Sequence, residues 1–110
     1  MERSKLQSYL GFCIRARKIV FGVDNIETER RGVFLLISDV TLGESSFKTM
    51  LNARQKFSCP LLIAEKEVLG EVLHRPAVKA VAIKDKHLAE AVKNAAESEP
   101  QFKFYSGGNN

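Results

Sequence analysis

The chain has 110 residues, 45% of them hydrophobic and 27% charged, enough for one ordinary core and too few for two. A net charge of +4 and a pI near 9.2 exclude an acidic disordered protein and favour an anionic partner. Residues 1–31 hold seven Lys or Arg against four Asp or Glu, whereas residues 65–110 hold seven against seven, so the basic face is expected to be local.

Ser4-Lys5-Leu6-Gln7 fits a capping box, and Leu6, Tyr9, Leu10, Cys13, Ile14 and Arg17 follow at helical spacing, which predicts a helix over 4–17. Residues 18–21 are β-branched and aromatic and predict a short strand ending at Gly22. Residues 23–31 can form only a short helix before Gly32. The continuous apolar run 33–37 reads as a central strand covered on both faces. Thr41-x-x-Glu44 offers a second capping box for a helix over 44–57, and Pro60 blocks its continuation. A buried strand at 61–63, a short amphipathic helix carrying Val68, Leu69, Val72 and Leu73, and a strand at 78–83 come next. Asp85 is placed to cap a last helix whose inner stripe is Leu88, Val92, Ala95 and Ala96.

Helix and strand thus alternate along the chain, and strands this apolar need helices on both faces. The expected fold is α/β (α+β): a three-layer α-β-α sandwich around a small mixed sheet of four strands. One domain over residues 1–100 and a mobile tail over 101–110 complete the expected organisation, and the domain is expected to be monomeric. In such sandwiches ligands meet the loops at strand ends, here the Gly22 turn, the exit at residues 38–40 and the loop at 73–78.

Several chemistries are disfavoured by the residues. Cys13 and Cys59 form no CxxC pair and read as two reduced core thiols. His74 and His87 stand apart from any cluster at ligand spacing, so neither a metal nor a cofactor is expected. No GxGxxG, Walker sequence or nucleophile elbow occurs, and Asp39, at a strand exit, reads as a turn cap and not a catalytic acid. No apolar run approaches the ~20 residues of a membrane span, and the amphipathic start is unlike a signal-peptide core, which makes a cytoplasmic protein the expectation.

The densest motif is the run from Arg15 to Asn25. Arg15, Arg17 and Lys18 lead into the strand, Gly22 lets a backbone come close to a ligand, and Asp24 and Asn25 stand in the first turn of the following helix. Cations this dense suit a polyanion.

The segments LGFCIRARKIVFGVDN, VFLLISD, CPLLIA, the LG-containing helix and VKAVAIKDKHLAEAV, in this order over about residues 5–95, resemble the kink-turn RNA-binding ribosomal family of the archaeal L-seven-Ae type, in its small bacterial YlxQ-like branch. The resemblance implies a non-catalytic protein that holds sharply bent, structured RNA (kink-turn or ribosomal RNA) and associates with ribosomes. It implies that Gly22 takes the family's glycine position, that Asp24 and Asn25 contact guanines, and that Thr28 stands where a lysine usually reaches the RNA. It also implies that the loop made by Leu73, His74, Arg75 and Pro76 covers an extruded base, with Arg15, Arg17 and Lys18 on the phosphates. The missing lysine and a second helix nearly one turn shorter than the family's also fit an alternative, a protein-protein adaptor that kept the fold and lost RNA specificity.

Overall fold

A computed structural model of the chain describes residues 4–106. The first helix, α1 (Lys5–Arg15), opens on Ser4, whose hydroxyl accepts from the Gln7 N–H at 3.1 Å. It stops two residues short of the expected end. Arg17 turns left-handed (φ 59°), with its N–H bonded to Ile14 O at 3.0 Å and the Lys18 N–H bonded to Cys13 O at 2.9 Å. This is the double bond of a Schellman cap, with arginine where glycine is usual.

Strand β1 (Ile19–Phe21) leads through Gly22 into α2 (Val23–Glu27), which ends at Thr28 and not at Gly32. Then follow β2 (Leu35–Asp39), α3 (Glu44–Phe57), β3 (Leu61–Ala64), α4 (Val68–Leu73), β4 (Ala80–Ile83) and α5 (Lys86–Ala96). The expected α3 bounds and the Asp85 cap on α5 agree with the structure, with Leu88 N–H donating to Asp85 Oδ1 at 2.8 Å. The expected Thr41 cap on α3 does not. Gly43 occupies the N-cap, and Thr41 turns back to Asp39.

The sheet runs β1-β4-β2-β3-β5, with β2 and β3 parallel and the other pairs antiparallel. It has five strands where the sequence led us to expect four. The fifth, β5 (Phe102–Phe104), comes from residues assigned to a mobile tail. It pairs Ala64 with Phe102 and Leu62 with Phe104, and buries Phe102 to 5% exposure. The domain therefore extends past residue 100. Pairing satisfies the otherwise open edge of β3, and the alternation Phe-Lys-Phe suits a strand with one covered face. Residues 107–110 of that expected tail lie outside the described residues.

Two cores make the layers. Alternation along β2 sends Leu35 and Ile37 towards α1, α4 and α5, and Leu36 towards α2 and α3. All five β2 residues are buried, as a strand sandwiched between helices requires. Each core holds one cysteine, both free: Cys13 at 0% exposure and Cys59 at 9%. Burial, helped at Cys13 by the charge of Asp85, pushes both thiols up to about 11. Both thiols are expected to be silent towards a disulfide reagent at pH 8 in the native protein and to react only after denaturation. Fast native-state labelling of either one would contradict this packing.

Gly11 and Gly70 both sit inside helices, where a packing role is expected of a glycine, and only Gly70 has one. A Cβ there would lie 2.9 Å from Pro76 O and 3.0 Å from Arg75 O, whereas at Gly11 the nearest contact is an ordinary 3.6 Å from the Arg15 side chain.

Candidate functional site

The β1–β4 register pairs Phe21 with Val81, and the Gly22 N–H donates to Ala80 O at 2.9 Å. On the other side of β4, Ser38 pairs with Ala80 and the Asp39 N–H donates to Lys79 O at 2.8 Å. The Gly22 turn, the β2 exit and the end of the 73–78 loop therefore gather at one end of the sheet, as the element order led us to expect. We call it the Gly22 end.

Gly22 itself has φ 91° and ψ 143°, a conformation side-chain-bearing residues rarely adopt. A Cβ would find open space, with only Asn25 Nδ2 at 4.0 Å, so the requirement is one of backbone conformation. Asn25 is exposed and donates through Nδ2 to Phe21 O at 2.9 Å, tying the first turn of α2 back to the end of β1, while its Oδ1 has no hydrogen bond among the described residues. Asp24 is exposed and has no hydrogen bond or ion pair among the described residues. Across the turn, the Arg75 guanidinium lies 4.5 Å from the centre of the Phe21 ring. That stacking fixes a cation beside Gly22 without neutralising it. Arg75, Pro76 and Ala77 are all exposed.

The Arg75–Pro76 turn is held from inside. The Arg75 N–H donates to Gly70 O at 2.8 Å, His74 adopts φ 57°, and Pro76 fills the space a Cβ on Gly70 would need. The His74 ring faces Gln7, Nε2 to Nε2 at 3.3 Å. Leu73 does not belong to this surface. It is 3% exposed and packs in the core with Leu69 and Val68, so it cannot cover a base, because helical spacing turns it inward with them. Thr28 closes α2 as its C-cap, and its exposed hydroxyl is engaged locally, donating to Asn25 O at 2.9 Å.

The cations of the motif are also not brought together with Gly22. Arg15, Arg17 and Lys18 precede β1 and Gly22 follows it, so the three residues of the strand, four steps or about 13 Å of extended chain, separate Lys18 from Gly22. Lys18 O accepts the Lys84 N–H at 2.8 Å, where β4 ends. Sequence adjacency joined what the strand separates.

The sequence had marked Asp39 as a turn cap, and it is one, but with a longer reach than the sequence discloses. Its Oδ1 accepts from the Thr41 N–H at 2.8 Å and the Thr41 hydroxyl at 2.5 Å, and its Oδ2 accepts from the Glu67 N–H at 2.9 Å. Burial acts to raise its pKa. The Thr41 and Glu67 hydrogen bonds and the charge of Lys79 outweigh burial and hold the carboxyl below its ordinary value. Phe21 and Lys79 are further members that sequence reasoning missed. The usable signal was the pairing of β1 with β4, which no local pattern carries.

No protein-family model matches this chain, and no curated protein matches it. Among solved structures it is similar to a protein of unknown function from Bacillus halodurans, with a TM-score of 0.71 and 20% identity over 87% of this chain and 100% of that one. At that identity the likeness shows a shared fold and nothing about function.

Proposed function

We propose that the protein is a non-catalytic RNA-binding domain that recognises a sharply bent, structured RNA of the kink-turn type at the Gly22 end. The observation that carries this reading is the single surface made by two turns distant in sequence: the Gly22–Asn25 turn with a free carboxylate and a free amide oxygen, and the exposed turn at residues 75–77. Carboxylate and amide oxygens accept from guanine amino groups. A guanidinium already stacked on Phe21 presents its remaining face to a splayed base or a phosphate. The resemblance to kink-turn binders supports the same assignment for Gly22, Asp24 and Asn25.

A gel shift tests it with a kink-turn duplex and a control whose G·A pairs are changed to C·G. Selective binding of the kink-turn is expected. Asp24→Ala and Arg75→Ala should each reduce that selectivity about 10-fold or more, since a good base contact is worth about 1–3 kcal/mol. Equal affinity for both duplexes in the wild type would reject kink-turn recognition. The exposed Asp24 carboxylate and the absence of a lysine at Thr28 favour one second reading, a protein adaptor, and loss of all RNA binding at low salt would select it.

A further inference from the structure

The opposite end of the sheet carries a different surface. Here α1 ends at Arg15, with Arg17 and Lys18 directly after it, and β4 leads into Lys84, whose N–H is bonded to Lys18 O. Chain segment 28–34 returns to the same place: the Phe34 N–H donates to Ile83 O at 2.9 Å, Glu29 forms an ion pair with Lys84, and Gly32 lies against the Lys84 side chain. Arg30 and Arg31 are thereby carried to the end that holds Arg17 and Lys18. All four are exposed, and none has an ion-pair partner among the described residues. Of the carboxylates there, Glu29 is paired with Lys84, and Asp85 keeps its charge while accepting the Leu88 N–H. At the Gly22 end, by contrast, charges of both signs are mixed: Arg75, Lys79 and Lys66 lie among Asp24, Asp39, Glu65 and Glu67. The unpaired cations are therefore unevenly divided along the strands, and the polarity of the molecule lies in that division.

Arg17 adds a second observation. It holds the left-handed position of the Schellman cap, which glycine fills without strain, so the chain keeps a cation there at a conformational cost. A strained backbone at an exposed arginine points to a use for its charge.

We propose that this end is a second RNA-contact face, distinct from the Gly22 end, which binds the phosphodiester backbone without regard to sequence through Arg17, Lys18, Arg30 and Arg31. The identity of the polyanion rests on the RNA-binding reading above. The face itself rests on the polarity. The two ends then divide the work: the Gly22 end supplies selectivity through hydrogen-bonding groups with little net charge, and the Arg17 end supplies affinity that salt weakens.

Fluorescence anisotropy with a plain RNA duplex and a kink-turn duplex, titrated across salt, tests the division. The variant with Arg17→Ala, Lys18→Ala, Arg30→Ala and Arg31→Ala should lose roughly 100-fold in affinity for the plain duplex at low salt. Its salt slope should fall by about 3, close to one per phosphate contact. Its preference for the kink-turn should persist. Arg17→Gly separates charge from fold: it should melt a few degrees above wild type because the cap is relieved, yet bind plain duplex more weakly. Unchanged affinity for plain duplex in the fourfold variant, or a wild type with no affinity for it at low salt, would overturn the proposal. A wild type that binds both duplexes equally, with the fourfold variant losing that binding, would instead overturn kink-turn recognition and leave this face standing.

Discussion

Asp39→Ala is expected to destabilise the domain by about 2–4 kcal/mol, a large share of the ~5–15 kcal/mol that holds a domain of this size. The carboxylate accepts three hydrogen bonds, two from Thr41 and one from Glu67, and so ties the exit of β2 to the turn before α4. Bonds to a charged acceptor contribute about 1.5–3 kcal/mol each. The sum is smaller here because Thr41 and Glu67 are exposed and water can reach their freed donors. Glu67 makes the loss felt at a distance: its backbone is left-handed, φ 68°, and its N–H donates to Asp39 Oδ2.

The pH dependence has a definite sign. The folded-state pKa of Asp39 lies below the ordinary 3.8, so its contribution is fully present above that value and is lost as pH falls through the lower folded-state value. Asp39→Asn keeps one carbonyl acceptor but carries no charge. Its deficit relative to wild type should therefore be near full at pH 7 and shrink below pH 3.8 as the native carboxylate protonates. Urea unfolding at both pH values measures this. A constant deficit across the acid range would show that Asp39 acts by shape and not by charge.

Gly70→Val is expected to destabilise by about 3 kcal/mol and to abolish kink-turn selectivity while leaving plain-duplex binding intact. Gly70 lies inside α4, where replacing glycine by alanine ordinarily gains about 0.5–1 kcal/mol from propensity. The contact reverses the sign. The added Cβ would meet Pro76 O at 2.9 Å and Pro76 Cα at 3.0 Å, backbone atoms that cannot move aside as a flexible side chain would. Overpacking of this kind costs about 1–3 kcal/mol for the first methyl, and the branched valine adds to it. The relief available is a shift of the Arg75–Pro76 turn, which would carry the guanidinium off the Phe21 ring. Thermal melting reads the stability term, and the two RNA duplexes read the displacement. An unmoved melting temperature with intact selectivity would show that the turn can yield without consequence.

Much of the scaffold was legible in the residues. The helical stripes of α1, α3 and α5 and the Ser4 and Asp85 caps are local patterns, set by side-chain spacing and by orphan N–H groups within one turn. The continuous burial of β2 was visible because an unbroken apolar run has no solvent face to declare. β5 escaped because three residues with one buried Phe102 make no signal above that of a loop. Their pairing is decided by the free edge of β3, some forty residues earlier. The site divides in the same way. Gly22, Asp24 and Asn25 could be located as a turn from their order alone; for Leu73 the helical stripe agrees with its buried place on α4, and the covering-loop role that the resemblance implies does not.

By itself the sequence determined the sandwich, the position of the glycine turn and the concentration of positive charge in the first thirty-one residues, since each depends on neighbours within a few positions. Only the tertiary structure decided where that charge faces. β1 separates Lys18 from Gly22, and the return of segment 28–34 to the end of β4 joins Arg30 and Arg31 to Arg17. Strand direction and ladder register are long-range hydrogen-bond choices, and they set the cations of one continuous run at the far end of the strand from its glycine turn.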